Sequence, residues 1–329
     1  MRDVDLQDCR AGGRVAFYDL NPQQEGFAAA VLRGLSQPAK AIPCRFLYDA
    51  RGSALFDAIC DLPEYYPTRA ETGILRARAT RVAELTGPHC QLIELGSGSS
   101  QKVRLLLDAL ERPAAYVAID ISAEHLRSAA EAVAADFPDI HVAAMAADYG
   151  QPFALPEIPG GGRRLGFFPG STIGNLSPEE AEAFLSLWAL RLGPGSAMLV
   201  GVDLTKGREV LEPAYDDAAG VTARFSLNLL ARANRELGAD FDLAGFRHRA
   251  FWSETRSRIE IHLVSLRAQE TVVADRRFHF AAGEAIHIED SCKYSLAGFT
   301  ALASRAGFEP VESWTDPAQL FSVHYLETR

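Results

Sequence analysis

Apolar and polar positions along the chain fall into two regimes. Between Gln91 and Val202, short apolar runs alternate with stretches of helical period. The runs are Leu92-Ile93-Glu94-Leu95, Ala115-Tyr116-Val117-Ala118-Ile119-Asp120, residues 140–147, Leu165-Gly166-Phe167-Phe168 and Ala197-Met198-Leu199-Val200-Gly201-Val202. Runs this short, predominantly apolar and separated by helical stretches, predict buried parallel strands of a doubly wound α/β sheet. The intervening helices are predicted at 101–107, at 122–135 with Ser122 as cap, and at 177–192. The last has an N-cap serine, a first-turn proline, the box glutamate Glu180 and a stop at Gly193.

Outside this region the pattern changes. Asn21-Pro22 predicts a helix start running to Leu35, and residues 53–62 an amphipathic turn. Leu62-Pro63-Glu64-Tyr65-Tyr66-Pro67-Thr68-Arg69 reads as a loop held by two prolines. Thr68-Arg69-Ala70-Glu71 fits a capping box that opens a helix to about Leu85. After about residue 206 the alternation stalls. Helical stretches near Tyr215 and over 227–235 precede alternating strands at Arg258-Ile259-Glu260-Ile261-His262-Leu263 and 272–280, the signature of an antiparallel insertion. A helix at 296–306 and strands at 309–314 and 321–326 close the chain with a hairpin.

Composition narrows the class without naming a chemistry. The 329 residues are 48% apolar and 23% charged, enough to bury one large or two modest cores. A net charge of −10 with no Lys/Arg-dense face argues against nucleic acid as a partner. Cys9, Cys44, Cys60, Cys90 and Cys292 are odd in number and lack metal-ligand spacing, so reduced thiols of a cytoplasmic protein are expected, and no metal. Met1-Arg2-Asp3-Val4-Asp5 lacks the apolar core of a secretory signal, and no apolar run approaches the roughly 20 residues of a membrane span.

In an open α/β sheet, ligands gather beyond the carboxyl ends of the strands. Here those ends carry Gly96 and Gly98, Asp120, Asp148-Tyr149, and the stretch from Gly170 to Asn175. Gly96-Ser97-Gly98 lets the backbone approach a ligand closely at a helix start, but a dinucleotide fingerprint would want a third glycine near Gln101. Glu94 suits a ligand with a cationic end better than a pyrophosphate. Asp120 lies where a carboxylate reads two ribose hydroxyls, and Asp148 can accept from an adenine amino group with Tyr149 beside the ring. Each acid taken alone is equally a solvated strand end or a helix cap.

Several motifs then occur in one order. They are Leu47-Tyr48-Asp49, the Leu62–Arg69 tyrosine–proline loop, Glu94-Leu95-Gly96-Ser97-Gly98, Phe168-Pro169-Gly170-Ser171-Thr172-Ile173-Gly174-Asn175, Arg258-Ile259-Glu260 and Glu289-Asp290-Ser291. Over nearly its whole length the chain resembles the histidine Nα-methyltransferases of ergothioneine biosynthesis. The resemblance implies a Rossmann-like S-adenosylmethionine-binding methyltransferase domain (70–205 and 294–329) and an α+β substrate-binding domain (1–69 and 206–293), with histidine between them. It implies that Gly96, Lys102, Asp120, Asp148 and Tyr149 hold the cofactor. Tyr48, Tyr65, Gly170, Asn175 and Tyr215 would surround the amino acid's backbone end, with Tyr48 and Tyr65 the catalytic candidates, while Glu289 and Ser291 would read the imidazole. The activity implied is trimethylation of the α-amine of L-histidine to hercynine by a monomer. Methylation of another amino acid such as tryptophan or of an aromatic amine, a non-catalytic S-adenosylmethionine-binding protein, and an NAD-dependent oxidoreductase are the alternatives. For Tyr65 and Tyr215 core packing, and for Glu289 an ion pair with Lys293, remain open as structural readings.

Overall fold

A computed structural model describes residues 14–20, 25–97 and 101–329. The start expected at Asn21-Pro22, Gly98 and the first five residues lie outside them. In chain order the elements are β1 (Val15–Asp19), α1 (Phe27–Leu35), α2 (Ala50–Cys60), α3 (Tyr66–Thr86), β2 (Gln91–Leu95), α4 (Gln101–Leu107), β3 (Ala115–Asp120) and α5 (Ala123–Asp136). There follow β4 (His141–Ala146), β5 (Arg164–Phe168), α6 (Pro178–Leu192), β6 (Ala197–Asp203), α7 (Arg208–Tyr215), α8 (Val221–Leu237), β7 (Phe246–Ser253) and β8 (Arg258–Ser265). The last are β9 (Gln269–Val273), β10 (Arg276–Phe280), β11 (Ala285–Cys292), α9 (Leu296–Arg305), β12 (Phe308–Thr315) and β13 (Phe321–Thr328).

The chain forms two compact units, one of β1, Arg69–Leu204 and Tyr294–Arg329, the other of Glu25–Thr68 and Thr205–Lys293. The first is a mixed α/β domain built on an eight-stranded sheet of order β1-β4-β3-β2-β5-β6-β13-β12. The pairs from β1 to β6 are parallel, and β13 runs antiparallel to both its neighbours. Strands β2 and β6 are buried along their whole length, which is why their sequences are mostly apolar and do not alternate with polar residues. From β2 the chain goes to β3 and β4 on one side and to β5 and β6 on the other. The carboxyl ends of β2 and β5 therefore flank the reversal point where open α/β sheets take their ligands.

The reading of residues 1–69 as one piece of the second domain needs correction. Val15–Asp19 pairs in register with β4, from Val15↔Val142 to Asp19↔Ala146, and Phe17 joins the core of the large sheet. An apolar residue facing inward from an edge strand is enough to tie that segment to the sheet. The capping box at Thr68-Glu71 is a second correction. Helix α3 starts at Tyr66, and Pro67 fits its first turn, where no backbone donor is needed. Glu71 is thus freed from capping and is fully buried. Ser122 does precede α5, but its hydroxyl makes no cap bond; its N–H donates to Asp120 Oδ1 at 2.9 Å. The box at Ser177 forms as its sequence predicts, with Ser177 and Glu180 bonded reciprocally.

In the second unit β11, β8 and β7 form an antiparallel sheet. The single strand expected over 272–280 is a hairpin, β9 to β10, turned at Ala274 and Asp275, both of positive φ. Aspartate tolerates that conformation, and the two-residue turn suits the twist of a hairpin. The loop after α1 returns alongside β11 by a bridge from Ala41 to His287. Among the described residues no helix is long and apolar enough to cross a membrane.

Candidate functional site

In the sheet-bearing unit the turn after β2 places Gly96 at φ 74°, a conformation that favours glycine. The ring of Tyr149 is the nearest group to a Cβ built there, 3.9 Å away. Ser97 follows, buried, its hydroxyl without a partner among the described residues. Asp120, half-buried at the end of β3, and Asp148, half-buried after β4, stand on neighbouring strands of the same edge. Each orders its own turn, Asp120 through Ser122 N–H and Asp148 through Gly150 N–H, both at 2.9 Å. Tyr149 packs edge-on against Phe168 and Phe184, and its carbonyl accepts from Trp188 Nε1 at 3.0 Å. The sequence had offered Asp148 and Tyr149 as a pair; what fixes them is the aromatic wall of β5 and α6.

Glu94 departs from its expectation. It is buried and accepts the Tyr116 hydroxyl at 2.5 Å, and burial pushes its carboxyl up to about 7 despite that bond and the charge of Lys102. It is part of the interior rather than a contact for a cation.

Lys102 and Gly170 meet at a residue that sequence reasoning missed. The ammonium of Lys102 pairs with the carboxylate of Glu71, and both Glu71 oxygens accept the Gly170 N–H, at 3.0 and 2.9 Å. Gly170 (φ 79°) and Ser171 (φ 56°) both take the left-handed conformation, and the Ser171 hydroxyl accepts the Asp203 N–H at 2.9 Å. This turn throws the chain into a short 3-10 helix, Thr172–Asn175. Asn175 ends it half-buried, with no side-chain hydrogen bond to another described residue. The signal for Glu71 was its place in an apolar helix face, masked by a chance fit to a cap motif.

In the second unit the tyrosines converge. Tyr48 packs edge-on against Phe56 and Phe225, Phe56 against Tyr65, and Tyr65 against Tyr215 with ring centroids 6.1 Å apart. Tyr48 is 41% exposed, whereas Tyr65 is buried and its phenol is driven well above the usual range by burial first, then by Tyr215, Cys60, Tyr48 and Glu289. Asp49 caps α2 through Gly52 N–H at 2.7 Å and also accepts from Asn228 at 2.7 Å and Arg235 at 2.5 Å, fixing the residue next to Tyr48. Gly52 is required there, since a Cβ would stand 1.8 Å from the Leu47 carbonyl oxygen.

On β11, Glu289 and Ser291 pair with Ile261 and Ile259 of β8, so both project to one face across an irregularity between His287 and Glu289. Ser291 is buried and lies 2.9 Å from the Tyr215 hydroxyl. Lys293 donates to Tyr215 Oη at 2.6 Å and to Ser291 Oγ at 2.7 Å. Ile261, on the adjoining strand, is buried. The site residues therefore form two sets. Gly96, Lys102, Asp120, Asp148, Tyr149, Gly170 and Asn175 lie in the sheet-bearing unit, and Tyr48, Tyr65, Tyr215, Glu289 and Ser291 in the other. Among the described residues no group of acids, histidines and cysteines is arranged to hold a metal ion.

Residues 27–328 match the family described as histidine-specific, S-adenosylmethionine-dependent methyltransferases. The chain is 45% identical over 304 residues to a histidine N-alpha-methyltransferase of Mycolicibacterium smegmatis, covering 91% of this chain and 94% of that one. To the enzyme of the same name from Mycobacterium tuberculosis it is 43% identical, with 89% and 92% covered. An ergothioneine biosynthesis protein 1 of Neurospora crassa is 33% identical over 84% of this chain, which spans 32% of that longer protein. With a match that leaves out only the first 26 residues and the last, the chain belongs to the histidine-specific, S-adenosylmethionine-dependent methyltransferase family.

Proposed function

We propose that this enzyme transfers three methyl groups to the α-amine of L-histidine, giving hercynine at an early step of ergothioneine biosynthesis. The reading rests on the family and on the names of the relatives. The observation that carries it is the joining of Tyr215 and Ser291 hydroxyls at 2.9 Å on the face that Glu289 shares. A carboxylate and a hydroxyl spaced along one strand face suit the two nitrogens of an imidazole.

S-adenosylmethionine, when bound, supplies an electrophilic methyl group on its sulfonium. Its holders are Gly96, where the backbone comes close, Asp120 for the ribose hydroxyls, Asp148 for the adenine amino group and Tyr149 beside the ring. The Ser97 hydroxyl, without a partner among the described residues, adds a polar contact at the same turn. Lys102 completes the set, and its ion pair with Glu71 also steadies the Gly170 turn.

For the amino acid, the family resemblance assigns Gly170, Asn175 and Tyr215 to the carboxylate end, and Tyr48 and Tyr65 to the amine. Displacement at a methyl carbon needs an aligned neutral amine and little covalent assistance, so positioning supplies most of the rate. Tyr65 is a poor base, because burial holds its phenol neutral. It orients the amine by hydrogen bonding, and the ammonium proton leaves to solvent. Among the described residues Cys44, Cys60, Cys90 and Cys292 form no disulfide, which suits work in the reducing cytoplasm.

The test is direct. Purified protein incubated with S-adenosylmethionine and L-histidine should yield products carrying one, two and three added methyl groups by mass spectrometry, ending at the third. Absence of product from histidine, with turnover of tryptophan or an aromatic amine, would replace the substrate and keep the methyltransferase.

A further inference from the structure

The motifs Arg258-Ile259-Glu260 and Glu289-Asp290-Ser291 lie side by side on β8 and β11, and of these residues the proposed function uses Glu289 and Ser291. On β11 the register with β8 steps from His287↔His262 to Glu289↔Ile261, so Ile288 and Glu289 together stand opposite one residue. That is the count of a β-bulge. Side chains alternate along a strand, and one extra residue exchanges the two faces for everything beyond it. With the bulge, Glu289 and Ser291 share the face of Ile261 and Ile259, while Asp290 joins His287 and His262 on the other. In an unbroken register from His287 onward, Asp290 would come opposite Ile259 and Glu289 opposite Glu260.

Two contacts hold Asp290 on its own face. His287 Nε2 lies 2.9 Å from Asp290 Oδ1. Residues three apart on a regular strand point opposite ways, so the bulge is what allows this bond. A carboxylate only accepts, so the nitrogen carries the hydrogen. Arg258 Nη1 stands 2.8 Å from Asp290 Oδ2, and Arg258 Nε donates to Glu260 Oε1 at 3.1 Å. Asp290 and Glu260 are direct cross-strand partners, an arrangement that is destabilising for two acids by themselves. Arg258 bridges them. Burial works to raise the Glu260 carboxyl, but the Arg258 guanidinium holds it below the usual carboxylate range. Ahead of the bulge, His287 N–H donates to Lys40 O and Ile42 N–H to His287 O, both at 2.9 Å. The strand is thus anchored on both sides of its extra residue.

We infer that Asp290, clamped by His287 and Arg258, is a positioning residue that sets the phase of β11 and so aims Glu289 and Ser291 at the acceptor. The inference rests on the histidine reading above, in which Glu289 accepts from the imidazole. Glu289 and Asp290 are adjacent acids, and the clamp decides which of them turns toward the substrate. With the bulge undone, Asp290 takes the place of Ser291, and Ser291 leaves the Tyr215 hydroxyl that it meets at 2.9 Å.

The experiment is a double-mutant cycle read by steady-state kinetics, with S-adenosylhomocysteine affinity measured by calorimetry on every variant. Asp290→Ala should raise the histidine KM by about tenfold, since a mis-aimed carboxylate forfeits most of its bond to the imidazole. The value of kcat should stay within about threefold, because an anchor remote from the reacting amine contributes binding shared by ground and transition states. In a Glu289→Ala background the same change should add about twofold or less, because effects that pass through one residue do not add. His287→Leu, which removes only the bond across the bulge, should raise KM by about threefold, again only where Glu289 is present. It decides the matter should Asp290→Ala fail to fold. All variants should bind S-adenosylhomocysteine as wild type does. A wild-type KM in the folded single variants, an equal rise with and without Glu289, or a loss of S-adenosylhomocysteine affinity that keeps pace with histidine overturns the inference. Wild type that binds S-adenosylhomocysteine but methylates no histidine overturns the histidine reading, and this role of Asp290 falls with it.

Discussion

Glu71 holds Lys102 in an ion pair whose carboxylate is completely buried, and the same carboxylate accepts the N–H of Gly170. One side chain on α3 thereby ties the helix after β2 to the turn after β5, on either side of the sheet's reversal point. Removing one partner of a buried pair leaves the other charge without compensation, which typically costs about 3–5 kcal/mol. Glu71→Ala should lose stability of that order in urea unfolding and weaken S-adenosylmethionine binding through the slackened turn. The paired change Glu71→Leu with Lys102→Met should recover part of the stability. A Glu71→Ala midpoint equal to wild type would show that the pair holds nothing together.

Asp120 supplies a test of the cofactor side. A carboxylate on two ribose hydroxyls contributes charge-assisted bonds of about 1.5–3 kcal/mol each. Asp120→Ala should therefore weaken S-adenosylmethionine binding by roughly ten- to a hundredfold per bond lost, at about 1.4 kcal/mol for each factor of ten. Stability should drop only slightly, through the lost Ser122 contact. Unchanged affinity in the calorimeter would move the ribose site away from β3.

Glu94 gives the fold a pH signature. Its carboxyl is raised from 4.5 to about 7 by burial, so the folded state holds a proton that the unfolded chain releases at lower pH. The stability from that proton is fully present below pH 4.5 and is lost as pH rises through about 7. His324 works in the opposite sense, since burial lowers it from 6.5 to about 4. Its contribution is present above 6.5 and lost as pH falls through about 4, so the two overlap and wild type alone is uninformative. Glu94→Gln keeps an acceptor for Tyr116 and removes only the first effect. The variant should gain on wild type between pH 4.5 and 7, by an amount on the order of 2–3 kcal/mol. Parallel unfolding curves for the two proteins across that range would mean that Glu94 is charged when buried.

The sheet was legible because buried parallel strands leave short, predominantly apolar runs without a period-2 alternation, and β2 to β6 each did so. The hairpin β9–β10 was not, since its turn at Ala274-Asp275 lacks the glycine that announces such turns. At the site, Asp120 and Asp148 could be picked out by their place at strand ends, which is a local property. Glu71 and Lys293 act across 31 and 78 positions of sequence, on Lys102 and on Tyr215, and no local pattern encodes a partner so far away. The motif at Thr68-Glu71 was misleading for the same reason. A glutamate in the right spacing for a cap is indistinguishable, in sequence, from one that turns inward.

Tyr65 separates positioning from proton transfer. Its phenol is buried and held neutral, so no ionisation of Tyr65 should enter the pH profile of kcat. Tyr65→Phe keeps the packing against Phe56 and Tyr215 and removes one hydroxyl. Loss of a single hydrogen bond of about 1 kcal/mol predicts a histidine KM raised by around five- to tenfold, with S-adenosylmethionine affinity unaltered. A fall in kcat of a hundredfold or more, together with a lost basic limb of the profile, would make Tyr65 a base after all.

Glu289 decides the substrate. It lies opposite Ile261 on the face it shares with Ser291, and Ser291 reaches Tyr215 and Lys293. Its carboxylate is also the charged group that acts on both Tyr65 and Cys44. It is half-buried there. A carboxylate accepting from an imidazole N–H is worth about 1.5–3 kcal/mol, so Glu289→Ala should weaken histidine binding by roughly ten- to a hundredfold. S-adenosylmethionine affinity should stay as in wild type. Selectivity should change as well. A polar pair built for an imidazole is left unpaired by a phenyl or indole ring, and sites of this kind reject the wrong substrate by factors on the order of 10⁴. With Glu289 gone the penalty falls, so histidine loses ground while phenylalanine and tryptophan gain. Competition among the three amino acids, with each methylated product counted by mass, measures both shifts in one tube. A Glu289→Ala enzyme that keeps the wild-type KM and the wild-type preference would remove Glu289 from the imidazole, and with it the main physical support for histidine as the acceptor.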